Sequence, residues 1–413
     1  MAPTTPAPVP LSTIAREWGR IGCAGFGGPP SHIALLRKLC VHHKGWIGAT
    51  EFEDAIAATN LLPGPASTQL AIYCAWRLRG WAGALVGGLC FIVPGLFAIL
   101  VLAAVFLAGH PPRWVTGAAA GTGSAVAAVA LNAALGLVPA SWERARAGGA
   151  SKDGGAAAGG GARGIGAART VRHTSRARWA VYAVAGAVST ALLGPYLVLV
   201  LLGAGMAEVA SRSVPTIRGG GQSAGLFPWL ASVGPLGGVG GLAWVALKVG
   251  TLSYGGGFVI VPLMQADAVH HYHWMSSAQF LNAVALGQVT PGPVVQTVAV
   301  IGYAADKLGG GVLAAAIAFT PSFLFVIFGG RHFDRIRSNP QVQAFLAGAG
   351  PAAIGAIAGS AIPLALGLSH LWQASVLAAA VIWLVVLRRN VVTGIVAAGV
   401  LGVVAALAGL PVS

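Results

Sequence analysis

The sequence predicts an all-α polytopic membrane protein built from two homologous halves. Three observations carry this: an extreme hydrophobic composition, a repeat at a fixed offset, and a helix-breaking Pro-Gly-Pro at the same place in each copy. Of 413 residues, 56% are hydrophobic and 8% charged, with a mean hydropathy of +0.77. Soluble domains carry roughly 25% charged residues. This chain therefore lacks the polar surface that a water-soluble core of its size requires. Its 61 glycines and abundant alanine suit helices that approach closely in lipid.

The repeat has an offset of 228 residues, the separation of Pro63 from Pro291. Leu62-Pro63-Gly64-Pro65 answers to Thr290-Pro291-Gly292-Pro293, and Phe26-Gly27-Gly28 to Tyr254-Gly255-Gly256. His42-His43, Trp46 and Phe52 fall on His270-His271, Trp274 and Phe280. Matched alanines are cheap in so Ala-rich a chain; a matched Trp, His-His and Pro-Gly-Pro in one register are not. A duplicated apolar chain interrupted by Gly and Pro at corresponding positions is the sequence pattern of a secondary transporter and points to its binding site.

Apolar stretches are predicted near 12–28, 55–76, 81–108, 114–139, 179–210, 239–264, 282–304, 309–328, 343–368, 371–387 and 391–410. About 20 apolar residues span a bilayer, so five or six membrane segments per half are expected. The stretch 179–210 is interrupted by Gly194-Pro195 and reads as two short helices. The organisation expected is a first repeat core at 1–139, a low-complexity basic cytoplasmic loop at 140–178, the end of the first repeat at 179–210, a linker at 211–238 and a second repeat at 239–413. The Pro-rich start, Met1–Thr13, lacks the basic residues of a cleavable signal peptide. The glycine run at 159–166 has neither a preceding strand nor a following Lys-Ser/Thr, and reads as linker.

The net charge of +15 sits in loops between apolar segments, the pattern of cytoplasmic loops rather than of nucleic-acid binding. Loop 140–178 is rich in Arg, whereas its counterpart near 368–371 has neither Arg nor Lys. The loop near Gly109–Trp114 has only Arg113, whereas its counterpart has Arg331, Arg335 and Arg337. Arg77 and Arg79 map to the neutral pair Asp306 and Lys307. The basic side swaps between halves, so inverted repeats are expected, with loop 140–178 and the Arg331–Arg337 loop both cytoplasmic.

The prolines at the breaks each remove a backbone donor and clash with the preceding turn. Interrupted backbone at membrane depth survives only where it is buried in protein or lines a cavity. Each break starts a new helix whose first N–H groups and positive dipole end suit an anion. In the first half these are the amides of Ala66, Ser67 and Thr68; in the second, those of Val294, Val295 and Gln296. The candidate binding residues are thus Pro63, Gly64, Pro65, Ser67, Thr68 and Gln69, with Pro291, Gly292, Pro293, Gln296 and Thr297. Asn60 and Gln288 are matched polar residues just before the breaks. Gly27, Gly28, Gly255 and Gly256 allow close approach of a ligand or of another helix. One cation per half falls at the same position, Arg20 and Lys248. Lys248 has no acidic residue within one helical turn, so it is expected to face a central cavity and to meet an anion, with Arg20 as weaker partner.

The four cysteines read as small apolar fillers, and the His270–His273 cluster as interfacial side chains beside Trp274. Glu51, Glu53, Asp54 and Asp267 are candidates for proton coupling but read more simply as solvated loop carboxylates. Nothing in the motifs supports a catalytic residue, a metal site or a cofactor. The residues alone reach a duplicated transporter of anions in a lipid bilayer, with a homodimer left open. A sulfate or other oxyanion carrier, and a membrane-bound enzyme acting on lipid-linked phosphate, stay as alternatives.

At Phe26-Gly27-Gly28-Pro29, Trp46, Phe52 and Leu62-Pro63-Gly64-Pro65, followed by Gln69-Leu70-Ala71 and Tyr73, the chain resembles the chromate ion transporter family. Tyr254-Gly255-Gly256-Gly257, Trp274 and Pro291-Gly292-Pro293 resemble the second domain of its long, two-domain members. The resemblance implies a multi-pass protein of the bacterial cytoplasmic (inner) membrane that exports chromate and confers resistance to it, with sulfate as structural analogue. Gly257 stands where the first half has Pro29, so the two half-sites are expected to differ.

Overall fold

The computed structural model describes residues 9–26, 28–59, 62, 64–108, 111–150, 163–193, 197–213, 238–253, 260–330 and 339–412. Every regular element among them is helical. In the first half, α1 (Leu11–Ala24) is followed by α2 (Pro29–Arg37), which tightens into π-helical turns over Lys38–His43. At 14 residues α1 is about 21 Å long, short of the ~30 Å hydrocarbon core. It stops at Gly25, and the chain doubles back: the His32 ring sits edge-on to Phe91, while Trp46, further along, stacks on Trp18 of α1. The segment after α1 thus returns to pack on α1 and α4.

A second hairpin follows. α3 (Ala49–Thr59) and α4 (Ala66–Phe106) flank the Pro-Gly-Pro break. Glu51, in the first turn of α3, pairs with Arg77, more than two turns into α4. α3 and the first limb of α4 are therefore antiparallel, and the break is the tip of a loop that enters and leaves on one face. α4 then folds back on itself at Arg79 and Gly80, where Gly80 takes φ 59° and ψ −149°. A Cβ at Gly83 would overlap the Ala75 carbonyl, so glycine is what lets the two limbs of α4 lie in contact.

α5 (Arg113–Ala150) returns across the bundle, and α6 (Arg163–Leu193) and α7 (Leu197–Ser213) form a terminal hairpin. Arg178 donates to Ser211 and pairs with Glu208, which fixes α6 and α7 antiparallel. The stretch expected to be a loop from 140 to 178 is helical to Ala150 and again from Arg163. The Trp179 indole donates to Ser141 at 3.0 Å and packs edge-on to Trp142, which extends the helical pairing past the apolar run.

The second half repeats this order. α8 (Gly238–Leu252) and α9 (Val261–Gln265, with π-turns over Ala266–His271) precede α10 (Ser277–Val289), capped by Ser276 and Gln279 in a reciprocal box. A 3₁₀ turn at Val294–Gln296 leads into α11 (Thr297–Gly329), which folds back at Asp306–Lys307. α12 (Pro340–Leu366), α13 (Leu371–Val381, with π-turns over Ile382–Val386) and α14 (Val391–Leu407) complete it.

The halves interlock. α12 packs on α6 and α7, while α5 packs on α13 and α14. These crossings use small residues: a Cβ at Gly355 would overlap the Ala183 carbonyl, and one at Gly402 would overlap that of Gly117. At the centre, the second limbs of α4 and α11 meet, with Gly88 against Phe323 and Gly311 against Leu100. The residue order shows these matched limbs to be antiparallel. Among the described residues, four helices are long and apolar enough to cross a membrane: Ala66–Phe106, Arg113–Glu143, Val294–Gly329 and Pro340–Leu366. Phe97, Phe328 and Leu371 are exposed on the outside of the bundle, where lipid would cover them.

A pair of hairpin tips at the centre of the bundle

Both breaks are held inside the protein by glycine in the left-handed region, with φ +118° at Gly64 and +105° at Gly292. At the first tip, Gly64 and Pro65 are buried, and α4 starts at Ala66. The Thr68 and Gln69 amides bond to the Pro65 carbonyl, so Thr68 does not offer the free N–H expected of it. Among the described residues, the Ala66 and Ser67 amides have no acceptor. Ser67, Thr68 and Gln69 are all buried. A Cβ on Gly64 would lie 2.5 Å from Gln69 Nε2, 3.3 Å from Ser322 Oγ and 3.4 Å from the Gly250 carbonyl. The first tip is thus walled by α8 and α11, both from the other half.

The second tip is walled by the first half in turn. The Gly292 amide donates to the Gly25 carbonyl at 3.0 Å, and Gly95 of α4 leaves room for the Pro291 carbonyl. Pro293 caps the 3₁₀ turn, whose Gln296 is fully buried and donates through Nε2 to the Ile92 carbonyl at 2.8 Å. Thr297 is spent on its own turn, donating to the Val294 carbonyl at 2.8 Å. Gln288 is buried at the end of α10. Gly28, at φ +73°, opens α2 and lies 3.6 Å, from an ideal Cβ, to the Val294 side chain. Gly27, Asn60, Pro63, Gly255, Gly256 and the Arg331–Arg337 segment lie outside the described residues.

His32 links the two tips. It is fully buried, with Nε2 2.9 Å from the Gly25 carbonyl and Nδ1 3.4 Å from Ser67 Oγ. A carbonyl only accepts, so Nε2 carries the proton and Nδ1 accepts from the serine. The Gly25 carbonyl thereby receives both the second tip's Gly292 amide and the histidine that holds Ser67 at the first. Sequence reading did not find His32, because its counterpart position holds Ile260 and no repeat signal marks it.

The two matched cations differ in their surroundings. Lys248 donates to Asp267 at 2.6 Å and lies over the Trp244 ring. Lys248 is thus paired with a carboxylate rather than unpaired as expected. Asp267 is 19 residues further on, brought back by the fold of α8 onto α9, beyond the single turn that a helix-face reading inspects. Asp267 is itself buried rather than a solvated loop carboxylate, and Leu39 occupies the matched position in the first half. Arg20 is exposed on α1.

The ungapped repeat also misaligns the tips by one residue. Gln69 stands five positions after Gly64 and Gln296 four after Gly292, yet both glutamines fold over their own tip glycine. Anchored on these glutamines, Ser67 and Thr68 correspond to Val294 and Val295, and the fold-back at Arg79–Gly80 to that at Asp306–Lys307. Pro94-Gly95 corresponds to Pro321-Ser322 on the same basis.

The chain matches the family described as Chromate transporter over residues 12–209 and 240–403, nearly its whole length. This chain belongs to the chromate transporter family. A chromate transport protein of Cupriavidus metallidurans is 30% identical over 365 residues, covering 86% of this chain and 82% of the relative. A chromate transport protein of Pseudomonas aeruginosa is 26% identical over 377 residues, covering 87% and 82%. An uncharacterized transporter of Bacillus subtilis is 39% identical over 102 residues, 24% of this chain and 52% of that protein. No solved structure matches the chain. As a chromate transporter family member with several helices able to cross a membrane, it is an all-α polytopic membrane protein. At the first tip the Ala66 and Ser67 amides, without an acceptor among the described residues, stand at the N-terminal end of α4.

Proposed function

We propose that this protein exports chromate across the bacterial cytoplasmic membrane and so confers resistance to it. The family and the names of its relatives support chromate as substrate. The observation that carries the mechanism is the pair of buried tips, each walled by the opposite half. A tip held between halves feels any rocking of one half on the other, which is how alternating access exposes a fixed site to each side in turn.

Inverted repeats are part of this reading. The matched limbs of α4 and α11 are antiparallel, as a two-fold axis in the membrane plane requires. Gly330, before the Arg331–Arg337 segment, lies against Trp76 beside Arg77 and Arg79. The face holding these arginines is the cytoplasmic one by the positive-inside preference. The fold-back at Asp306–Lys307, neutral in sum, then lies on the opposite face. Reporter fusions within 151–162 and 331–338 are expected to read cytoplasmic; either reading external removes the inversion.

The transport reading is tested with vesicles from cells producing the chain. Everted vesicles are expected to accumulate chromate above vesicles lacking the protein, and right-side-out vesicles are not. Equal uptake with and without the protein contradicts the proposal. Preferential uptake of sulfate over chromate in the same assay would instead make it a carrier of the analogue.

A further inference from the structure

We infer that the two tips are chemically unequal and that the oxyanion is held at the first, with Ser322 and Thr68 as its hydroxyl donors. This rests on the transport reading above and assigns its site. Ser322 Oγ and Thr68 Oγ1 are buried and have no hydrogen-bond partner among the described residues. Ser322 Oγ stands 3.3 Å from where a Cβ on the tip glycine Gly64 would be, so it looks directly onto the break. A buried hydroxyl without a partner is costly and calls for an explanation. A tetrahedral dianion, which only accepts hydrogen bonds, supplies the missing partner for each.

The repeat provides the internal control. Where the first tip has Ser67 and Thr68, the second has Val294 and Val295. Where the first tip is faced by Ser322, the second is faced by Gly95. Ser253, whose buried Oγ also lacks a partner among the described residues, corresponds to Gly25. The second tip is closed by its own bonds, Gly292 to Gly25 and Gln296 to Ile92; the group over its glycine left unpartnered is an acceptor, Gln296 Oε1, and the one unpartnered donor nearby, Gln288 Nε2, belongs to the helix before the break. A carbonyl oxygen repels an anion. Hydroxyl donors beside the N-terminal end of α4 attract one. The first tip is therefore built to bind, whereas the second is closed on the protein itself.

The test measures equilibrium binding of chromate to the purified full-length protein, alongside uptake by proteoliposomes. Ser322→Ala and Thr68→Val are each expected to weaken binding roughly 10- to 100-fold, the loss of a hydrogen bond to a charged group. Ser360→Ala is expected to bind like the parent, because Ser360 Oγ bonds to the Ile357 carbonyl of its own helix. Where Ser322→Ala does not fold, Thr68→Val carries the test alone. Parent-like binding by both variants overturns the assignment. A parent that binds chromate in a Ser322-dependent way but moves none would retain the site and remove the transport reading.

Discussion

At the first tip, hydroxyls of Thr68 and Ser322 have no hydrogen-bond partner among the described residues; at the second, valines line the turn and the glycine amide is already tied to Gly25. Both tips keep Pro-Gly-Pro, left-handed glycine and a glutamine folded over it. What has diverged is the polarity of the groups around them. Backbone shape is thus shared by both halves, whereas the hydroxyls we assign to the anion stand at one tip alone. A duplicated transporter needs two matched hinges to rock, but one substrate needs a single set of donors.

The sharpest way to break this comparison is to disturb the two glycines equally. Alanine at φ above +100° is strained by about 1–3 kcal/mol at either tip. Gly64→Ala also brings its Cβ to 2.5 Å from Gln69 and 3.3 Å from Ser322. We expect Gly64→Ala to abolish chromate binding and uptake while leaving folded protein, scored by fluorescence-detected gel filtration. Gly292→Ala should leave binding within about 3-fold of the parent while slowing turnover, as a hinge substitution does. Equal loss of binding in both would restore the symmetric site.

A middle-sized effect concerns Lys248. Because it is paired with a buried carboxylate, Lys248→Gln leaves Asp267 uncompensated and should cost about 1–3 kcal/mol of stability, less than for a fully buried pair because Lys248 is partly exposed. The double variant Lys248→Gln with Asp267→Asn should recover most of the loss in thermal unfolding. Half-saturation by chromate should stay near that of the parent. A rise of half-saturation without loss of stability would return the lysine to the substrate.

The smallest effect separates the fold-backs. Gly80 adopts positive φ without strain, but Lys307 does so at φ 47° with a side chain. Lys307→Gly is expected to raise stability by up to about 1 kcal/mol, read as a higher melting temperature. A lower one would show that the Lys307 ammonium over the Tyr303 ring outweighs backbone strain.

The class of this protein was legible because composition leaves no alternative to lipid, and the tips because proline and glycine act locally on the backbone. The Lys248–Asp267 pair was not, since it forms across a bend between α8 and α9. The correspondence of Gln69 with Gln296 was hidden by a one-residue slip inside the repeat. Ser322 was invisible because one serine in an apolar run gives no periodic signal; only the approach of Gly64 distinguishes it. The helices entering 140–178 were missed because glycine and arginine there suppress the apolar pattern while the tryptophans at 142 and 179 still pack.

The central claim is that a saturable chromate site at the first tip carries the anion across the bilayer. Its most direct measurement is the initial rate of chromate uptake into proteoliposomes of the purified chain against chromate concentration, with Gly64→Ala as the matched comparison. The account predicts saturable uptake by the parent and leak-level uptake by Gly64→Ala. Uptake by the parent that stays linear and equals that of protein-free liposomes would contradict it.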